Sequence, residues 1–147
     1  MYQKILVATD GSALSKKAVR GAIGLAESLG AQLVALHVVP HYPISFFEGG
    51  MAISPEDIAR AEGTWHDKGQ ETVDAVVKQA KASGVTAKGV VIQSDLVADA
   101  IQAAARKNKC DLIVMASHGR KGLKRLLLGS ETLHVLTHGT VPVLVLR

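Results

Sequence analysis

Leu112-Ile113-Val114-Met115-Ala116-Ser117-His118-Gly119, nine further residues and then Gly129-Ser130 form the stretch that decides the fold. An unbroken apolar run, Asp111 to Met115 with its acidic lead residue, predicts a strand buried on both faces, as in a parallel sheet. The residues that follow are small, so a ligand can approach the backbone at the strand exit. A Gly-Ser step that opens a helix offers free N–H groups to an anion. The segment therefore has the layout of a phosphate-binding loop in an α/β protein.

Working outward, the same alternation of strand and helix signals fills the chain. Ile5 to Ala8 predicts a first strand that ends at Thr9-Asp10-Gly11-Ser12. Ser12 can cap a helix in which Ala18, Val19, Ala22, Ile23, Ala26 and Leu29 recur at helical spacing, with Gly30 as its stop. Gln32 to Val39 is a second buried strand, halted by Pro40. Residues 40–53 hold Pro40, Pro43, Gly49 and Gly50 and read as a loop. Its apolar Ile44, Phe46, Phe47 and Met51 either pack over the sheet edge or form a lid.

Ser54-Pro55-Glu56-Asp57 is a helix start. Ile58, Ala61, Trp65, Thr72, Val73, Val76, Val77 and Ala80 then predict the buried face of a long helix that ends at Ser83-Gly84. Val85 to Ile92 is a third strand, and Ser94 or Asp95 is expected to cap a short helix carrying Val97, Ile101, Ala104 and Ala105. After the 116–130 loop, a helix from about Ser130 to Thr137 carries Leu133, Val135 and Leu136 and stops at Gly139. Val141 to Leu146 is the fifth strand. This order predicts an α/β fold, a doubly wound parallel sheet with helices on both faces, as one domain over 1–147. Ligands bind such sheets outside the strand C-terminal ends, where the strand order reverses. If the first and fourth strands are neighbours, the turn at 9–12 and the loop at 116–130 converge on one crevice.

Composition narrows the function classes. The 147 residues are 48% hydrophobic and 20% charged, which fits a globular domain rather than a disordered chain. A net charge of +4 suits small anionic ligands but is too weak to indicate nucleic acid, and 3% aromatic content argues against a base-stacking platform. No apolar run approaches the roughly 18 residues of a membrane span, and the N-terminus lacks a signal-peptide core. Cys110 is alone and reads as a structural thiol, in keeping with a reducing compartment. The chain is expected to be cytoplasmic. His134 and His138 are four apart on one helix, but no third ligand stands near them in sequence, so no metal site is expected.

Lys4-Ile5-Leu6-Val7-Ala8-Thr9-Asp10-Gly11-Ser12, then Ala116-Ser117-His118-Gly119 with Gly129-Ser130, then Val141-Pro142-Val143-Leu144-Val145 together resemble the universal stress protein family over essentially the whole chain. The resemblance implies a five-stranded parallel sheet of order 3-2-1-4-5, of the adenine nucleotide alpha hydrolase-like, Rossmann-like type. It implies a homodimer through the last strand, 141–146, and, as in many members, bound ATP with or without Mg2+. The family's ATP pattern is Gly, two residues, Gly, nine residues, then Gly followed by Ser, Thr or Asn. Gly119, Gly129 and Ser130 match it, and Ala116 stands where the first glycine would be. Alanine is tolerable there at negative φ and costly at positive φ.

On this resemblance Thr9 and Asp10 meet adenine and ribose, and Val38 supplies an apolar wall. Met115, Ala116, His118 and Gly119 line the ribose and α-phosphate side, and Gly129, Ser130, Glu131 and Thr132 offer the first turn of the last helix to phosphate. Each also has a plain structural reading: cap, core residue or turn. Glu131 competes with phosphate unless it points away or holds a metal. Arg120, Lys121, Lys124 and Arg125 either steer a triphosphate or form a solvated face. No Walker lysine, placed general base or Gly-x-Ser-x-Gly elbow is present. The expected function is thus a nucleotide-binding stress-response regulator with at most slow hydrolysis. The alternative is a non-nucleotide dimer that acts as an interaction module.

Overall fold

The computed structural model describes residues 1–43, 53–118 and 128–147. Five strands, β1 (Lys4–Ala8), β2 (Gln32–Val39), β3 (Ala87–Gln93), β4 (Leu112–Ala116) and β5 (Val143–Leu146), alternate with four helices, α1 (Ala13–Leu29), α2 (Pro55–Ala82), α3 (Val97–Lys107) and α4 (Ser130–His138). All strand pairs are parallel, in the order β3-β2-β1-β4-β5. The first two crossovers move outward from β1, and the third returns to its other side. The order therefore reverses between β1 and β4, the place where open α/β sheets receive ligands.

The sheet is covered on both faces, which is why its central strands are apolar without alternation. Ile5, Val7, Leu33, Ala35, Leu112 and Val114 face α1 and α2. Leu6, Val34, Leu36, Ile113 and Met115 face α3 and Val135 of α4. Cys110 lies in this second core, 6% exposed, and burial pushes its thiol up to about 11.

Local chemistry explains most helix ends. The Ser12 hydroxyl accepts the Ser15 N–H, and α1 stops at Gly30, whose φ is 64°. Ser54 accepts the Asp57 N–H, with Pro55 in the first turn of α2. The start of α3 departs from the sequence reading. Its N-cap is Leu96, with no side-chain cap, because Asp95 pairs with His41 at 3.1 Å and the Ser94 hydroxyl accepts the Leu96 N–H instead. β3 begins later than expected, at Ala87, since Val85 closes the end of α2 by donating to Ala80 O. β5 begins at Val143, although Pro142 O already accepts the Ile113 N–H. On α2 only Gly69, Val73, Val76 and Ala80 are fully buried. Ile58, Ala61 and Trp65 are half-buried, Trp65 being stacked on Tyr42 at 5.9 Å. On α4, Leu133 and Leu136 are exposed, and Thr132 and Val135 are the buried pair.

Candidate functional site

The turn that leaves β1 is closed by its own side chains. Thr9 is buried, and its hydroxyl pairs with Ser15 Oγ at 3.1 Å and accepts the Gly11 N–H. Its N–H donates to Leu36 O, and its carbonyl lies 2.8 Å from His37 Nδ1. Asp10 Oδ1 accepts the Ser12 N–H at 2.9 Å, so this carboxylate shapes the entry to α1 as well as standing at the strand end. Gly11, at φ 78°, takes the backbone where a side chain would be strained. Val38 sits half-buried on β2, in register with Ile92 and against the second core.

Across the reversal point, β4 ends in a hub. Ser117 N–H donates to Leu146 O, and Ser117 O accepts the Gly129 N–H at 2.8 Å. The Thr132 hydroxyl, 2% exposed, donates to Ala116 O at 3.0 Å and Ser117 O at 3.2 Å. A Cβ on Gly129 would lie 3.2 Å from Ser117 O, so glycine lets α4 approach the strand exit this closely. Ala116 is the last residue of β4, in register with Leu146 and with no positive φ. A glycine-only conformation is therefore not required at Ala116. Met115 is buried on the other face, in the second core.

The first intrahelical bond of α4 runs from Leu133 N–H to Gly129 O. Gly129's own N–H is engaged by Ser117, which leaves the N–H groups of Ser130, Glu131 and Thr132 without an intrahelical acceptor. Ser130 is exposed. The Glu131 carboxylate turns away from that first turn. Its Oε2 accepts the Ala98 N–H at 3.1 Å and so supplies the cap that α3 lacks. His134 lies 3.5 Å from Asp99 across the same seam, and its ring is tilted against that of His138 with centroids 4.2 Å apart. His118 pairs its Nδ1 with Ser117 Oγ at 3.0 Å. Its Nε2 is shielded from solvent and has no hydrogen-bond partner among the described residues. A buried polar atom of this kind fits a site built for a further donor or acceptor.

The expectations for Gly119, for Arg120, Lys121, Lys124 and Arg125, and for the loop residues 44–52 lie outside the described residues. The near side of that loop is anchored. His41 N–H donates to Asp95 Oδ1, and Tyr42 N–H donates to Glu62 Oε1. Gln93 Nε2 also donates to Glu62, and these bonds hold the Glu62 carboxyl below the usual range. The sequence reading placed Ser117 only within the 115–119 lining and did not single out Glu62 or the Glu131–Ala98 contact. Partners 33 residues apart on different helices leave no spacing signal.

Fold and site together define a parallel α/β fold with a helix N-terminus beside the β1–β4 reversal. The model of the universal stress protein family matches residues 1–147, and the chain belongs to that family. Universal stress protein MJ0531 of Methanocaldococcus jannaschii is 34% identical, the match covering 100% of this chain and 83% of that protein. YxiE of Bacillus subtilis is 31% identical over the full length of both. Among solved structures, MJ0577 superimposes with a TM-score of 0.83 at 26% identity, covering 99% of this chain and 96% of that one. A universal stress protein in complex with cAMP superimposes with a TM-score of 0.69, also at 26% identity, covering 99% and 97%. Among the described residues no helix is long and apolar enough to cross a membrane.

Proposed function

We propose that this chain is a cytoplasmic regulatory protein that binds an adenine nucleotide, ATP with or without Mg2+, in the crevice between β1 and β4. The observation that carries this reading is the clamped N-terminus of α4, with three N–H groups lacking intrahelical acceptors. A relative of the same fold in complex with cAMP supports an adenine nucleotide as the ligand. In this reading the backbone N–H groups of Ser130, Glu131 and Thr132 and the Ser130 hydroxyl donate to phosphate oxygens. His118 Nε2 gains its missing partner there. Val38 walls the base, Asp10 meets adenine and ribose, and Met115 and Gly119 lie on the ribose and α-phosphate side. Thr9 acts by holding the turn. Ala116 and Gly129 keep the strand exit narrow. The nucleotide state changes the surface around 116–130 and through it the choice of protein partner.

Equilibrium dialysis against ATP with magnesium tests the reading. Binding is expected below millimolar nucleotide, and its absence at millimolar nucleotide overturns it. Ala116→Gly separates this from the non-nucleotide alternative. The affinity should be unchanged, because Ala116 already has strand geometry. Gain of binding only in the glycine variant would favour the interaction module.

A second reading concerns assembly. Leu133, Leu136 and Leu144 are 50%, 39% and 39% exposed on α4 and β5, an apolar surface that supports a homodimer through 141–146.

A further inference from the structure

The face of the sheet opposite α3 and α4 carries a separate cleft between α1 and α2, of about 400 Å3. Among its described lining residues, Thr9 and Gly11 belong to the turn that leaves β1. Its origin is geometric. α2 sits low on β2 and β3, because Gly69 has no Cβ to strike His37 and Gly89 none to strike Val73; each would fall 2.7 Å away. α1 rides on β1 and β4 instead, so a gap stays open between the two helices.

The chemistry of the walls is uneven. Lys16 and Arg20 project from α1 and Lys68 from α2, against the single carboxylate of Glu71. None of these four groups lies within ion-pair distance of an opposite charge among the described residues. Lys16 and Arg20 are four apart on one helix, a like-charge spacing that is unfavourable on an isolated helix. Lys68 adds a third cation from across the gap. Below them the floor is apolar, with Val19 3% and Val76 6% exposed. Thr72 and Gln79 provide neutral hydrogen-bonding groups on the α2 wall. A cavity of this size is in the range of small-molecule sites, where an apolar lining holds the body and a few polar groups fix the charge.

We propose that the α1–α2 cleft binds a small organic phosphate monoester, its phosphate held by Lys16, Arg20 and Lys68 and its apolar body against Val19 and Val76. A monoester carries close to two negative charges at neutral pH, which matches the excess of three cations over one carboxylate. The Arg20 fork suits two phosphate oxygens at once, and the lysines act as point charges. The site does not depend on the nucleotide reading, since it uses other side chains on another face.

The test is a titration of the full chain with 2-naphthyl phosphate, followed by amide shifts in two-dimensional NMR. Saturable shifts are expected in 16–20 and 68–79, undiminished when ATP is present in excess. The Lys16→Gln/Arg20→Gln double variant should bind about tenfold more weakly, with its thermal midpoint confirming that it folds. Neutral 2-naphthol should bind at least as weakly as that variant binds the phosphate. Shifts centred on 129–132, equal affinity in the double variant, equal affinity for 2-naphthol, or no saturation by about 10 mM would each overturn the proposal.

Discussion

Replacing Thr132 by valine isolates the clamp that sets α4 on the end of β4. The side chain is 2% exposed, and its one hydroxyl proton is shared between Ala116 O at 3.0 Å and Ser117 O at 3.2 Å. Valine keeps the branched shape and nearly the volume, so no cavity contribution enters. What is lost is one hydrogen bond, of about 1 kcal/mol net, together with part of the pairing of the buried Ala116 carbonyl, a penalty of about 1–3 kcal/mol if it is left unpaired. Ser117 O keeps the Gly129 N–H, so the penalty falls on one carbonyl rather than two. The added methyl recovers up to about 0.8 kcal/mol of apolar burial. The net loss should be about 1–2 kcal/mol, a fall of roughly 2–8 °C in Tm for a domain of this size. Urea titration of both proteins, at equal slopes, measures it. Ser130→Ala is the contrast, because Ser130 is exposed and its loss should stay within about 0.5 kcal/mol while weakening nucleotide binding. If Thr132→Val unfolds at the wild-type urea midpoint, the hydroxyl is no clamp and the argument for a pre-set helix terminus fails.

Glu131→Ala should destabilise by about 1 kcal/mol, since Ala98 loses the carboxylate that substitutes for a local cap. Amide exchange should quicken first at 97–101, and exchange that quickens in α4 alone would contradict this. Asp111 accepts the N–H groups of Gln3 and Lys4 at 2.9 and 3.1 Å. Burial raises its pKa, but these bonds outweigh that effect and hold the carboxyl below its usual value. Its contribution is therefore complete above the unfolded pKa near about 3.9 and is lost as pH falls through the folded value. Asp111→Asn should thus lower Tm at pH 7 and approach the wild type in acid; a difference that is constant from pH 7 to pH 3 would rule this out. Leu144→Lys on β5, tested by light scattering at tens of micromolar, should give monomers if the last strand pairs two copies.

Much of the fold was legible because local chemistry and tertiary need agree. β2 spans the residues its apolar run predicts, and Ser12, Gly30 and Ser54 act where their side chains or conformations predict. The failures share a cause. α3 borrows its cap from Glu131, and the Gly69 close approach depends on His37, Val39 and Val91 of other elements. Neither leaves a periodic trace. At the site, spacing identified the Gly129-Ser130 helix start, but not that Gly129's own N–H is engaged by Ser117, nor that Glu131 faces α3. The Ala116 departure turns out to sit in a strand, where alanine needs no special conformation.

The two borders of the sheet are chemically unlike. On β3 the exposed positions are Lys88 and Gln93, and a charged side chain on a border strand discourages another strand from adding there. On β5 the sequence Val143-Leu144-Val145-Leu146 carries no charge. A chain with two adhesive borders could add copies without end and grow into a fibre. With one border guarded and the other bare, the proposed pairing through β5 would stop at two copies related by a twofold axis. In that proposed assembly the asymmetry between Lys88 and Leu144 would set an upper limit on growth as well as offer a place for it to begin.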